Sequence, residues 1–140
     1  IKMLTPSKTK YRKSQKGGKK IKGNATSGDK ISYGSFALKA LDSGKINSRQ
    51  IEAARKVITR YMKRKGKFWI RVFPHTPITR KPAEVRMGSG KGSVEFYAMN
   101  IKPGKIIFEV DGVPDDVAAQ ALEKSSGKLP FRVKVIQRVY

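Results

Sequence analysis

The sequence predicts an α+β fold: a two-helix, mostly antiparallel-sheet sandwich with a basic extended N-terminal arm and a projecting glycine-rich loop. Three observations predict it. Residues 47–66 and 114–126 carry the 3.6-residue apolar period of helices that bury one side. Five further segments between turn signals read as strands, and 67–73 and 131–139 among them alternate with period two. Residues 1–30 are too polar and too rich in glycine to build a core. The 140 residues fit one domain, so residues 1–30 are expected to be an arm ordered on a partner, residues 31–140 one α+β domain, and residues 80–92 a loop projecting from it.

The arm comes first. It holds 10 Lys/Arg and one Asp, interrupted by Gly17-Gly18, Gly23 and Gly28. Lys8, Lys10, Arg12, Lys13, Lys16, Lys19 and Lys20 recur every two to four residues, and Tyr11 among them suits stacking on a base or sugar. Residues 31–41, ISYGSFALKAL, read as a strand bent at Gly34, and Asp42-Ser43-Gly44 breaks it.

Residues 47–66, NSRQIEAARKVITRYMKRKG, are the clearest helix, with Asn47 or Ser48 as cap and Gly66 as terminator. At 100° per residue, Ile51, Ala54, Ile58 and Met62 fall within a stripe of about 80°. Arg49, Lys56, Arg60 and Lys63 fall on the opposite side, and Arg64 follows them. Glu52 is the one acid in the segment. A ridge facing solvent normally interleaves Glu with Lys, so the shortage of acids points to phosphate contact.

KFWIRVF, residues 67–73, alternates as a strand with Phe68, Ile70 and Val72 on the core side. Trp69 and Arg71 then share the other side, which suits stacking and phosphate contact; the rival placement buries Trp69 beneath the helix. Pro74, Pro77 and Pro82 are expected to form a rigid irregular link. SVEFYAMNI at 93–101 and KIIFEV at 105–110 flank Lys102-Pro103-Gly104 and predict an antiparallel hairpin. Asp111-Gly112 ends it. The second helix, 114–126, opens on Pro114, Asp115 and Asp116 and buries Val117, Ala118, Ala121 and Leu122. Gly127 closes it, and FRVKVIQRV at 131–139 is the last strand.

Charge sets the class of partner. The formal net charge is +22, far beyond what solubility needs, and a chain so charged binds polyanions, above all nucleic acid. Residues 1–83 hold 23 Lys/Arg against 3 acids, and residues 84–140 hold 9 against 7. The polyanion-binding surface is therefore built mostly by the first part. A membrane partner is not expected: no run of 18 apolar residues exists, no apolar signal-peptide core precedes the arm, and no cysteine serves a lipidation signal. The lack of cysteine also excludes disulfides, thiolate catalysis and Cys-based zinc sites. The lone His75, in PHTP, reads as a solvated loop residue rather than a metal ligand. Glu84, Glu95 and Glu109 are isolated carboxylates, so the expectation is a non-enzyme with no metal and no cofactor.

The loop RMGSGKG, residues 86–92, resembles a nucleotide-binding turn at first sight. A P-loop needs a glycine where Val85 stands and a hydroxyl where Gly92 stands, and a helix must follow. The dinucleotide pattern needs a glycine where Ser93 stands. Both fail, which leaves a flexible cationic loop: Gly88, Gly90 and Gly92 permit close backbone approach, Arg86 and Lys91 carry charge, and Met87 packs on a sugar, a base or the domain.

In order along the chain stand YRKSQKG, YGSFALKAL, SRQIEAARKVITR, GKFWIRVFPHTPITRKPAEVRMGSGKGSVEFY, KPGKIIFEVDGV and KLPFRV. Together these resemble the L-sixteen family of large-subunit ribosomal proteins, from about Met3 to Arg132 and most specifically over 47–97. The resemblance implies an α+β sandwich that binds large-subunit ribosomal RNA, helps shape the aminoacyl-tRNA site, and has neighbouring large-subunit proteins as further partners, with no homo-oligomer. It implies an arm, residues 8–22, threaded into RNA. It places the loop of Arg86, Met87, Gly88, Gly90, Lys91 and Gly92 near the tRNA groove, and Arg86 matches an arginine hydroxylated in some bacterial members. Residues 19–30 depart from the usual spacer. Ile1-Lys2 ahead of Met3 and a Lys-, Ile- and Asn-rich flavour admit an organelle such as the mitochondrial matrix beside the bacterial cytoplasm. Two other functions compete: a free RNA chaperone or single-stranded RNA binder using the arm and Trp69, and a nucleotide-dependent enzyme using Lys91.

Overall fold

A computed structural model describes residues 4–8, 23–80 and 91–139. Its strands form two antiparallel sheets. The first holds β3 (Lys67–Ile70), β6 (Ile106–Asp111), β1 (Phe36–Ala40) and β7 (Val133–Gln137) in that order. The second holds β2 (Gly44–Asn47), β5 (Ser93–Ile101) and β4 (Thr76–Arg80) in that order. Two helices, α1 (Ser48–Tyr61) and α2 (Asp115–Ser125), pack against each other, and α2 also meets the first sheet. The α+β architecture expected from the two periodicities is the one observed.

The core lies between the helices and one face of the first sheet. Phe36, Leu38, Phe108 and Val110 from β1 and β6 join Ile51, Ala54 and Ile58 of α1 and Ala118, Ala121 and Leu122 of α2. The stripe Ile51, Ala54, Ile58 and Met62 is buried as its spacing requires. Of the two candidate caps, Asn47 rather than Ser48 is the one used, and α1 starts at Ser48. The Asn47 side chain accepts from the Gln50 N–H at 2.9 Å, and the Asn47 N–H donates to Gln50 Oε1 at 3.0 Å, closing a capping box.

Four expectations need correction. The segments 93–101 and 105–110 do not pair: β5 lies in the second sheet and β6 in the first. β6 is buried from Ile106 to Val110, so it needs neighbours on both edges and cover on both faces, and it takes β1 and β3. The turn between them is tied elsewhere: the Gly104 N–H donates to Ala40 O and the Ala25 N–H to Pro103 O. The proline-rich link contains β4, where Pro77 stands opposite Tyr97 on an edge strand that can lack one N–H. β2 carries no strand signal in the sequence, because its four residues begin with a turn glycine. The strand expected over 67–73 ends at Ile70, and the one expected over 31–41 begins only at Phe36.

Residues 31–35 leave the sheet because of Gly34. A Cβ there would lie 2.6 Å from Val110 O, so only glycine lets the chain pass over β6 at that point. Upstream, the Ile106 N–H donates to Gly28 O, and Leu4 packs against the core. The polar N-terminal stretch thus touches the domain at Leu4, Ala25 and Gly28.

Candidate nucleic-acid interface

The cationic ridge exists as a surface. Arg49, Lys56 and Arg60 are exposed on the side of α1 opposite the buried stripe, and Lys63, expected on the same helical face, is exposed just beyond the helix end. Glu52 does not neutralise it, because Arg55 takes that carboxylate, with Nε donating to Oε2 at 3.0 Å. The Arg55 bond is the main reason the Glu52 carboxyl titrates below its ordinary value. Lys56 exerts a smaller coulombic pull on the same carboxylate, so Arg55 takes most of the one acid beside the ridge.

The ridge continues past the end of the helix. Met62 closes α1, and Lys63 and Arg64 then adopt φ of 54° and 61°, the left-handed region. Helices usually place a glycine or asparagine there, because a Cβ costs about 1 kcal/mol or more in that conformation. Here the N–H of Arg64 donates to Thr59 O at 3.1 Å and that of Lys65 to Met62 O at 3.0 Å, which holds the turn. Gly66, at φ 78°, returns the chain to β3. The turn displays Lys63, Arg64 and Lys65, all exposed, around an open basin that Lys56 and Arg60 also line.

A second hollow lies between the helices. Arg60, Lys63 and Lys124 rim an apolar floor of Val57 and Val117. Lys124 Nζ lies 4.5 Å from the Tyr61 ring centroid, and the Tyr61 hydroxyl bonds Gln120. Sequence reasoning missed Lys124. It stands in the nearly neutral part of the chain, and only the packing of α2 on α1 brings it to the ridge.

Trp69 and Arg71 share the side of β3 and its extension away from the core, as the first alternative expects, but Arg71 is paired within the protein rather than open to phosphate. Trp69 opposes Glu109 on the sheet face away from the helices, half-buried, and stacks on Tyr33 with centroids 6.0 Å apart. Arg71 forms an ion pair with Glu109, whose side chain is fully buried. The other carboxylate oxygen accepts from the N–H groups of Ser32 at 3.1 Å, Tyr33 at 2.9 Å and Gly34 at 2.9 Å. Burial pushes the Glu109 carboxyl up, and the Gly34 N–H, the Arg71 guanidinium and the Tyr33 N–H together outweigh it, holding the group below its ordinary value. Glu109, an isolated carboxylate in the sequence, is therefore a structural anchor. Arg71 spends its charge inside the protein.

Several expected site residues lie outside the described residues: Lys10, Tyr11, Arg12, Lys13, Lys16, Lys19 and Lys20 of the arm, and Arg86, Met87, Gly88 and Gly90 of the loop. Lys8 and Lys91 are exposed, and Gly92 is half-buried. Arg80 pairs with Ser93, so the loop leaves and rejoins the second sheet at one end. A strand, not a helix, follows Lys91, as the failed nucleotide pattern anticipates. His75 is exposed, with Nδ1 3.1 Å from Phe73 O. Among the described residues, no group of His, Cys, Asp or Glu could hold a metal ion, and no helix is long and apolar enough to cross a membrane.

The fold and the ridge define the class: small basic α+β proteins with an uncompensated cationic face. The family model described as ribosomal protein L16p/L10e matches residues 6–136, and the chain belongs to that family. It is thus a ribosomal protein and not an enzyme. A large ribosomal subunit protein uL16 of Erythrobacter litoralis is 56% identical over 136 residues, covering 97% of this chain and 93% of the relative. The protein of the same name from Rhodospirillum rubrum is 53% identical over 137 residues, covering 98% of each chain. That of a Chelativorans species is 55% identical over 137 residues, again covering 98% of each.

Proposed function

We propose that this chain is a structural protein of the large ribosomal subunit that binds large-subunit ribosomal RNA and buttresses the aminoacyl-tRNA site. The observation that carries the reading is the ridge of Arg49, Lys56, Arg60 and Lys63, exposed, with Glu52 the one acid beside it and paired with Arg55, on a chain of net charge +22. Such a surface neutralises phosphates and releases their counterions. Arg64 extends it, Trp69 adds a stacking surface, and Arg71 supports that surface from within. The arm, Lys8 to Lys20, threads into RNA. Neighbouring large-subunit proteins are the further partners. The family and its relatives' names support this over the free RNA chaperone, which would act away from the particle. Sedimentation tests it: the protein should co-migrate with intact large subunits through high salt, and recovery only in free fractions would refute it.

The loop holding Arg86, Met87, Gly88, Gly90, Lys91 and Gly92 is proposed to face tRNA. Its two ends meet at Arg80 and Ser93, which suits a finger reaching outward from one point of the sheet. Arg86→Ala should slow aminoacyl-tRNA accommodation severalfold while subunit assembly stays within twofold of wild type. Equal defects in both would remove the specific tRNA role and leave a loop that serves assembly.

A further inference from the structure

Tyr33 is 58% exposed, yet the backbone beneath it is tied down. Its N–H and those of Ser32 and Gly34 converge on one oxygen of Glu109, and Ser35 N–H donates to Val110 O at 3.0 Å. The Tyr33 ring stacks on half-buried Trp69 at an interplanar angle of 24°, and the Arg71 guanidinium carbon lies 5.3 Å from the Tyr33 centroid. A single exposed tyrosine needs no explanation. An exposed ring on an immobilised backbone, backed by a second ring and a guanidinium, is a surface whose ordering cost is already met before any ligand arrives.

We infer that Tyr33, supported by Trp69 and Arg71, is a stacking platform for an unpaired nucleobase of RNA. The charge of the chain selects the occupant. A planar, electron-rich face on a strongly cationic protein suits a base whose own phosphates are drawn to the same protein. Position agrees, because Lys30 is three residues upstream and the basic arm joins the fold here. A strand held by the arm would pass the platform. This inference rests on the RNA-binding reading and adds a contact to a base, where the ridge contacts phosphates.

Trp69 is the single tryptophan, so its emission reports on the platform directly. The probes are a short single-stranded RNA, the same strand with abasic sites, and heparin, titrated against the full chain. The base-bearing strand should quench Trp69 and bind about tenfold more tightly than the abasic strand. Tyr33→Leu should erase that margin and leave heparin affinity unchanged, whereas Tyr33→Phe should keep it. Equal wild-type affinity for the two strands overturns the platform while leaving phosphate binding intact, and the exposed ring is then a protein contact. A margin that survives Tyr33→Leu also overturns it. Failure of the wild type to bind any of the three probes at physiological salt refutes the RNA-binding reading itself, a result the first two outcomes cannot mimic.

Discussion

Arg60 and Arg71 carry the same group, and the protein uses them in opposite ways. Arg60 stands on a helix face without a carboxylate partner in its stripe, its guanidinium open to the solvent. Arg71 lies across the fold on the far face of the first sheet, paired with a fully buried Glu109. The first region keeps its charge for an outside partner. The second closes its charge on itself to fix the chain where the N-terminal arm meets the domain. A tally of basic residues counts both alike, so net charge identifies the class of partner but not the residues that meet it. Availability depends on where the carboxylates are, and in this molecule two of the critical ones, Glu52 and Glu109, are spent on Arg55 and Arg71.

The sharpest way to break the comparison is at Glu109. Glu109→Gln leaves Arg71 without its counter-charge and weakens the bonds from Ser32, Tyr33 and Gly34. Unfolding in urea should show a loss of about 3 kcal/mol, the usual cost of breaking one side of a buried ion pair. Heparin affinity should stay within twofold, because the ridge is untouched. A stable variant with weakened polyanion binding would reverse the two regions' roles. The pH dependence gives the same test without a change of fold. The folded Glu109 carboxyl titrates below its ordinary value. Its contribution is therefore complete above the unfolded value of about 4.3, and it is lost as the pH falls from there through the folded value. Glu52 and Asp42 are also lowered and lose their pairings in the same range. The difference between wild-type and Glu109→Gln curves isolates Glu109, and that difference should shrink as the pH drops below about 4.

The ridge should respond the other way. Lys56→Gln with Arg60→Gln removes two exposed charges and no packed surface, so stability should change by less than about 0.5 kcal/mol. RNA affinity should fall about tenfold near physiological salt, and the slope of log affinity against log salt should flatten by about 1.5, the amount two phosphate contacts contribute. An unchanged slope would mean that the ridge faces solvent.

How legible this was in the sequence depends on how local each feature is. α1 was readable to its cap and its buried stripe, because helical period and capping box act within a few residues. The partnership of β6 was not. Lys102-Pro103-Gly104 looks like a hairpin turn, but the fully apolar IIF and the buried Glu109 demand a central strand, and that demand is met by β1 and β3, far away in sequence. The fate of Arg71 was hidden for the same reason: Glu109 is 38 residues distant. The sequence leaves Trp69 between a stacking face and burial under the helix, and its stacking partner, Tyr33, comes from the distant segment that reads as a strand bent at Gly34. The ridge could be inferred because its signal is an absence of acids within one helix. Lys124 could not, because it reaches the ridge only through the packing of α2.

The smallest expected effect is the most diagnostic of why the cationic region is built as it is. Lys63 and Arg64 occupy left-handed positions where glycine is easiest. Relief of that conformation by Lys63→Gly is worth roughly 1–2 kcal/mol. The added freedom of the unfolded chain offsets about 0.4–1 kcal/mol of it. The variant should therefore be more stable than wild type by about 0.5 kcal/mol in urea, and Lys63→Ala should not be, since alanine keeps the Cβ. Both variants should bind RNA more weakly, with the salt slope flatter by about 0.8. Stability gained together with binding lost would mean that the turn holds a strained lysine for its charge. A glycine variant that binds as tightly as wild type would leave the strain without a purpose in RNA contact, and would move the working edge of the interface back to Lys56 and Arg60.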